Sequence, residues 1–313
     1  RSRGLGDVYK RQEHTRAYVK IQDGCNRFCT YCIIPYVRGR IRSRQRDDIF
    51  NEVSSLARKG CAEVVLTGIH LSSYGLDMGD DALELIDIIE MINGIEGIKR
   101  IRLGSLEPRI VTEEFAKRLA ACEKICPHFH LSLQSGCDAT LIRMNRKYTT
   151  GEFAEGVKIL RRYFDNPAIT TDVIVGFPGE TQEEFDVTYE YLKRIKFYEL
   201  HVFKYSRRKG TMADKMPDQV DEQIKSARSD RLLELDEKLS TQYREKYIGK
   251  DICVLTEEVN VIEGTAYMTG FTPTYVKVAI PVDNMPDIQP NMLVTVRAVK
   301  LLGKDLVIGV AEN

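Results

Sequence analysis

From residue 17 onward, short β-branched or apolar runs alternate with amphipathic stretches of helical length. The runs 17–22, 62–67, 99–104, 129–134, 169–175 and 199–205 have the length and make-up of strands. Between them, 47–59, 82–93, 112–122, 151–164 and 181–195 carry helical spacing. Two of these helices open on evident caps: Thr112 precedes Glu113 and Glu114, and Thr181 precedes Glu183 and Glu184, placing acidic groups at a helix N-terminus. Such alternation predicts a parallel sheet with right-handed crossovers, curled into a partial (βα) barrel or open as a doubly wound sheet. In either form the chemistry belongs at the C-terminal ends of the strands. A long charged helix is predicted from about 218 to 247, packing on the barrel's flank. After Gly249 the pattern changes to short alternating strands at 250–257, 264–270, 274–281, 292–300 and 304–310, the size of a small OB-like β-barrel. The expected division is therefore an α/β core over 14–246 and an all-β module over 247–313. Residues 1–13 show no apolar period and read as a non-native or disordered leader. A chain that starts on arginine is further expected to be a fragment of a longer protein.

Composition narrows the class. The 313 residues are 43% hydrophobic and 29% charged, the balance of a soluble globular enzyme. No apolar run approaches the roughly 18 residues of a membrane span, and no secretory signal opens the chain. The expectation is a cytoplasmic protein with no membrane partner. Basic and acidic side chains are equal at 46 each, yet residues 1–50 hold 12 basic and 5 acidic ones, so the neutral total hides a basic end.

Three of the eight cysteines crowd into Cys25-Asn26-Arg27-Phe28-Cys29-Thr30-Tyr31-Cys32, directly after the first strand. Three thiolates at this spacing can bind three irons of a cubane cluster and leave the fourth open. An open iron can take the amino and carboxylate groups of S-adenosylmethionine. The alternatives are structural zinc, which would want a fourth ligand where no further Cys or His lies between His14 and Cys61, and three unliganded thiols. The other cysteines, Cys61, Cys122, Cys126, Cys137 and Cys253, read as core fillers. His70, His128, His130 and His201 are given no role.

The cysteine spacing resembles the radical S-adenosylmethionine superfamily. Tyr18 through Cys25, Arg38-Gly39-Arg40, Gln134-Ser135-Gly136, Asp172 through Thr181 and Tyr205-Ser206-Arg207 resemble its methylthiotransferases. Thr67 through Gly75 and Leu103 through Pro108 look most like the branch acting on threonylcarbamoyladenosine beside the tRNA anticodon. The resemblance implies a partial (βα)6 TIM-like barrel followed by a TRAM domain, a small RNA-binding β-barrel. It implies a 4Fe-4S cluster and S-adenosylmethionine as cofactors, a tRNA substrate, an electron donor such as flavodoxin or ferredoxin, and a monomer. The implied reaction places a methylthio group at carbon 2 of the modified adenine. Family members also carry an N-terminal domain holding an auxiliary cluster, which this chain is expected to lack, so that alone it would cleave the cofactor without methylthiolation. Isopentenyladenosine and a ribosomal-protein aspartate are rival substrates, and a non-catalytic zinc-containing RNA-binding protein is the rival of another class.

Each strand end then has an expected task. Cys25, Cys29 and Cys32 hold the cluster. Gly68, beside Thr67, lets the backbone approach the methionine amino group. Ser105, Glu107, Ser132, Gln134 and Ser135 suit the ribose and methionine ends of the cofactor. Asp172 stands beside the Gly176–Gly179 turn, whose open backbone would pack on adenine; Phe203 and Tyr205 would wall it, and Tyr31 would cover it. Arg38, Arg40, Arg42, Arg44 and Arg46 alternate, so in an extended chain all five share one side and form a phosphate-binding strip; a solvated, ion-paired edge is the alternative. In the C-terminal module, Tyr267, Phe271 and Tyr275 would stack on bases, and Lys250, Lys277, Arg297, Lys300 and Lys304 would meet phosphates.

Overall fold

The computed structural model describes residues 15–79, 84–303 and 306–310. The leader expected over 1–13 and Lys304 lie outside the described residues.

Six parallel strands follow one another as expected: β1 (Arg16–Asp23), β3 (Glu63–Gly68), β4 (Arg100–Leu103), β5 (His128–His130), β6 (Ala168–Val175) and β7 (Glu199–Lys204). A two-residue strand β2 (Arg42–Ser43) returns antiparallel on the outer edge of β1. The sheet β2-β1-β3-β4 meets the sheet β5-β6-β7 through the isolated parallel bridges Ile101↔Ile125 and Leu106↔Leu131. Among the described residues no pairing joins β1 to β7, so the barrel is partial and its lumen is open on that side. The helices α1 (Ile34–Val37), α2 (Arg46–Arg58), α3 (Leu85–Asn93), α4 (Glu113–Ala120), α5 (Asp138–Arg143), α6 (Thr150–Tyr163), α7 (Gln182–Ile195) and α8 (Glu222–Glu245) accompany the strands. Thr149 and Thr181 form capping boxes with Glu152 and Glu184, satisfying the first orphan N–H groups of α6 and α7.

Alternation along the strands sorts side chains by face. Phe129, Leu131, Ile169, Val173, Val175 and Leu200 belong to the main apolar core with the helices. Their neighbours His128, His130, Thr170, Asp172 and His201 therefore point into the lumen.

The C-terminal strands β8 (Asp251–Ile262), β9 (Thr265–Phe271), β10 (Lys277–Pro281), β11 (Leu293–Leu302) and β12 (Leu306–Val310) close into a barrel in the order β10-β12-β11-β8-β9. This barrel packs against the N-terminal ends of the α/β strands. Glu63, fully buried, accepts from Arg102 Nε at 2.9 Å and forms ion pairs with Arg16, whose Nε lies at 3.1 Å, and with Arg100, whose Nη1 lies at 4.0 Å. The same arginines cross to the small barrel: Arg16 to Glu257 at 2.7 Å, Arg100 to the Phe271 carbonyl at 2.7 Å and Arg102 to the Pro273 carbonyl at 3.0 Å. Phe271 and Tyr275 stack at 4.5 Å beneath the Arg16 guanidinium. This corrects the base-stacking expectation for those two rings, which are spent on the domain junction.

No helix among the described residues is long and apolar enough to cross a membrane.

Candidate functional site

The loop after β1 is set by backbone geometry. Gly24 has φ +71°, and a Cβ there would lie 1.8 Å from the Arg40 carbonyl oxygen, so only glycine lets the two segments meet. The Cys25 N–H donates to the Gly39 carbonyl at 3.1 Å, while Gln22 Nε2 donates to the Gly24 carbonyl at 2.8 Å. From the other side the end of α5 clamps the loop: Thr30 N–H donates to the Met144 carbonyl at 3.1 Å and Asn145 Nδ2 to the Phe28 carbonyl at 2.9 Å.

These constraints turn Cys25, Cys29 and Cys32 onto one cavity of about 140 Å3, shared with Tyr31, Ser105, Glu107, Ser132, Gln134 and Arg146. All three are free thiols. Burial pushes the Cys25 and Cys32 thiols above their ordinary range, so a cation is needed to hold them as thiolates. Arg146 supplies part of that charge, its Nη1 lying 3.1 Å from Cys29 Sγ, and it is fixed by donating from Nε to the Tyr148 hydroxyl at 2.9 Å.

Two observations bear on what the cavity holds. Among the described residues, the one group of His, Cys, Asp and Glu side chains with donor atoms crowded within 4.8 Å is His130, Asp172 and His201; the three cysteines do not form such a group. Their sulfurs as placed are not gathered as closely as the ligands of one tetrahedral zinc, which stand on the order of 4 Å apart. Glu107, buried, accepts from His70 Nε2 on Oε2 at 2.7 Å and forms an ion pair with Arg27, whose Nε lies 2.7 Å from the same oxygen, while its Oε1 is buried with no hydrogen-bond partner. Burial opposes its ionisation, but the His70 hydrogen bond and the Arg27 charge hold it below the usual carboxylate range. An ionised oxygen left unpaired beside the cysteines matches a cationic ligand group such as an ammonium.

A second cavity of about 350 Å3 shares Tyr31, Cys32 and Gln134 with the first and adds Asp172, Ile174, Phe203, Tyr205 and Arg208. Gln134 holds φ +72°, a costly backbone state for a non-glycine residue at the point where the cavities meet. The Tyr205 hydroxyl is buried without a partner, and Phe203 is half exposed.

The structure thus brings most of the expected residues onto these two cavities and places several elsewhere. Ser135 is 2% exposed and bonds Thr188 Oγ1 on α7 at 3.2 Å, facing away from the cavities. Thr67 and Gly68 end β3 but line neither cavity; Gly68 packs against Gln22 instead. The turn after β6 is not open to a ligand, because Phe177 is fully buried and Gly176 lies under the Lys225 side chain of α8. Asp172 lines the larger cavity, but both its oxygens are taken by histidines, His130 at 3.2 Å and His201 at 3.3 Å. Those two histidines, His70 and Arg146 were missed. Only the strand parity and loop closure, unknown before the fold, could bring them here.

The arginine strip is also corrected. Arg38 caps α1 in a helical conformation, Gly39 turns the chain at φ +76°, Arg42 alone lies on a strand, and Arg46 opens α2. Arg38 and Arg42 share Asp23, Arg44 pairs with Glu52 at 2.6 Å, and Arg40 covers the Phe28 ring. Arg38, Arg40 and Arg42 remain exposed beside the cysteine loop. On the small barrel Lys277 is half-buried and Arg297 pairs with Asp251 at 3.0 Å.

The sequence profile of the Radical SAM superfamily matches residues 19–192. Over 273 residues the chain is 44% identical to the threonylcarbamoyladenosine tRNA methylthiotransferase MtaB of Bacillus subtilis, covering 87% of this chain and 60% of that protein. Over 251 residues it is 43% identical to the tRNA-2-methylthio-N(6)-dimethylallyladenosine synthase of Acetivibrio thermocellus, covering 80% and 52%. The chain therefore spans little more than half the length of these curated relatives. The solved structure of the radical S-adenosylmethionine methyltransferase TsrM from Kitasatospora setae, with cobalamin and a 4Fe-4S cluster bound, matches at a TM-score of 0.55 and 18% identity, over 68% of this chain and 42% of that one. That likeness is one of fold.

Proposed function

Because the chain belongs to the radical SAM superfamily, we propose that it is the catalytic and RNA-docking part of a tRNA methylthiotransferase, adding a methylthio group to carbon 2 of N6-threonylcarbamoyladenosine. The observation that carries the reading is the convergence of Cys25, Cys29 and Cys32 on one cavity beside the unpaired Glu107 oxygen. The 44% identity to a protein named for this activity supports the choice of substrate.

In this reading the three thiolates hold a 4Fe-4S cluster. When bound, the cluster would supply, from a flavodoxin- or ferredoxin-type donor, the electron that splits S-adenosylmethionine to a 5′-deoxyadenosyl radical. The chain's own groups bind and orient. Glu107 Oε1 accepts from the amino group of the methionine moiety, while Arg27 and His70 keep that carboxylate ionised and fixed. Ser105, Ser132 and Gln134 offer polar contacts on the same wall, and Tyr31, Phe203 and Tyr205 flank the larger cavity for the adenosine. Exposed Arg38, Arg40 and Arg42 draw phosphates toward the cavity mouth. The small barrel, read as a TRAM domain, would hold the RNA a strand length away, about 26 Å for the eight residues of β1.

A second reading, dimethylallyladenosine as the substrate, is favoured by the 43% identity to a synthase of that product. Mass spectrometry of tRNA nucleosides from a strain lacking the gene separates them. Loss of 2-methylthio-N6-threonylcarbamoyladenosine alone supports the first reading. Loss of the dimethylallyl product alone replaces it with the second, and loss of neither defeats both.

A further inference from the structure

The lumen below the larger cavity holds a polar layer to which the reading above gives no task. In TIM-like barrels this space is ordinarily filled by branched apolar side chains. Here three adjacent strands contribute His130, Asp172 and His201. Asp172 lies opposite His201 in the β6–β7 register, and His130 on β5 pairs with Thr170, two residues before Asp172 on the same face. His130 Nε2 lies 3.2 Å from Asp172 Oδ2, His201 Nδ1 lies 3.3 Å from Asp172 Oδ1, and the two imidazoles stack at 5.1 Å. Thr170 Oγ1 fixes the far nitrogen of His130 at 3.0 Å.

The layer is anchored at one end and open at the other. Side-chain exposure rises from 11% at His130 to 27% at Asp172 and 49% at His201. With Nδ1 held by Asp172, the His201 ring is fixed in orientation and its Nε2 has no hydrogen-bond partner among the described residues. The hydrogen bond to Asp172 raises the His201 pKa, which keeps the ring a ready donor. Asp172 itself lines the cavity that includes Cys32 and Tyr31. The lumen is open on the β7 side, where His201 is exposed, so a target nucleoside entering beside the cofactor's adenosine can lay its N6 substituent over this layer.

A half-buried carboxylate set between a buried and an exposed imidazole offers polar partners that a hydrocarbon group would leave unused. We propose that His130, Asp172 and His201 form the binding subsite for the N6 substituent of the target adenosine, with His201 Nε2 hydrogen-bonding an oxygen-rich substituent such as threonylcarbamoyl and disfavouring a hydrocarbon one. The inference rests on the substrate reading of the preceding subsection. His130 and Asp172 act as positioning residues; His201 makes the contact. A site built to hydrogen-bond its ligand discriminates more strongly than one that only fits its shape.

The test is the affinity of the cluster-loaded chain, anaerobic and with S-adenosylmethionine present, for three fluorescent anticodon stem-loops. These carry threonylcarbamoyladenosine, dimethylallyladenosine or plain adenosine at one position. The wild type is expected to prefer the first RNA. His201→Leu is expected to weaken that RNA about tenfold or more, leaving the plain RNA within twofold, and His201→Gln, whose amide can occupy the place of Nε2, to recover most of the loss. Asp172→Asn is expected to reduce the preference with no change in affinity for plain RNA. If the wild type prefers the threonylcarbamoyl RNA and His201→Leu keeps that preference, the inference falls while the substrate reading stands. If the wild type prefers the dimethylallyl RNA, both fall. Zinc binding that is lost in Asp172→Asn and that abolishes the wild-type preference would show a metal site and would also overturn it.

Discussion

Replacing Glu63 with alanine tests whether the buried ionic cluster joins the two barrels. Glu63 is fully buried and is the shared partner of Arg16 and Arg102, with Arg100 at 4.0 Å. Removing one member of a buried pair costs about 3–5 kcal/mol, because the surviving charges keep their desolvation penalty. Here the cost should fall near about 3 kcal/mol, since each arginine keeps a second partner on the small barrel: Glu257, the Phe271 carbonyl or the Pro273 carbonyl. For a chain of this size, about 3 kcal/mol corresponds to a drop in Tm of roughly 5 °C. The loss falls on the junction, so calorimetry should show the two barrels melting less cooperatively in the variant than in the wild type. Glu63→Leu combined with Arg102→Met should be less destabilised than either single change, because a matched apolar pair leaves less charge unpaired. Burial raises the Glu63 pKa, but the Arg102 contact and the Arg16 and Arg100 charges outweigh it and hold the group below its ordinary value. A depressed carboxylate stabilises above its unfolded pKa, about 4.3, and the benefit is lost as pH falls through the folded value. The gap between wild type and variant should therefore be full at pH 7 and close in acid. A variant melting within about 1 °C of wild type at pH 7 would mean that Glu63 does not hold the junction.

Other outcomes follow from the cysteine loop. Gly24→Ala should prevent the loop from closing on Arg40, so that iron incorporation drops severalfold although circular dichroism keeps the native helix and strand content; unchanged incorporation would contradict the clash at 1.8 Å. Arg146→Met removes the cation 3.1 Å from Cys29 Sγ. It should make the cluster harder to reduce, lowering its potential by about 60 mV, the one-electron equivalent of tenfold. Titration followed by electron paramagnetic resonance reads this directly, and a potential equal to or above wild type would count against it.

How much was legible in the sequence depended on the range of the signal. The strands were readable because each is an apolar, β-branched run with a turn signal behind it, and β6 and β7 lie within a residue or so of the expected bounds. Thr181 and Glu184 announce their helix locally, and the capping box is there. Helix α5 was missed because six residues are too few to show a period. What failed is what depends on contacts distant in sequence. Ser135 looked like its neighbour Gln134, yet one step along the chain turns it to the opposite face, against Thr188. Phe271 and Tyr275 carry the composition of a base-stacking surface, and only the docking of the barrels shows Arg16 already lying over them. Alternation in the arginine strip held only for an extended chain, which Gly39 and α1 interrupt. The His130–Asp172–His201 layer spans three strands and was invisible until their register was known.

A cluster held by Cys25, Cys29 and Cys32 that cleaves S-adenosylmethionine can be measured directly. Anaerobic reconstitution with iron and sulfide, followed by reduction with dithionite, measures iron and 5′-deoxyadenosine on one sample. The expected outcome is a brown protein with about four irons per chain and release of 5′-deoxyadenosine, both lost in Cys29→Ala. A colourless protein holding about one zinc per chain, or a Cys29→Ala variant with wild-type yield, would contradict it.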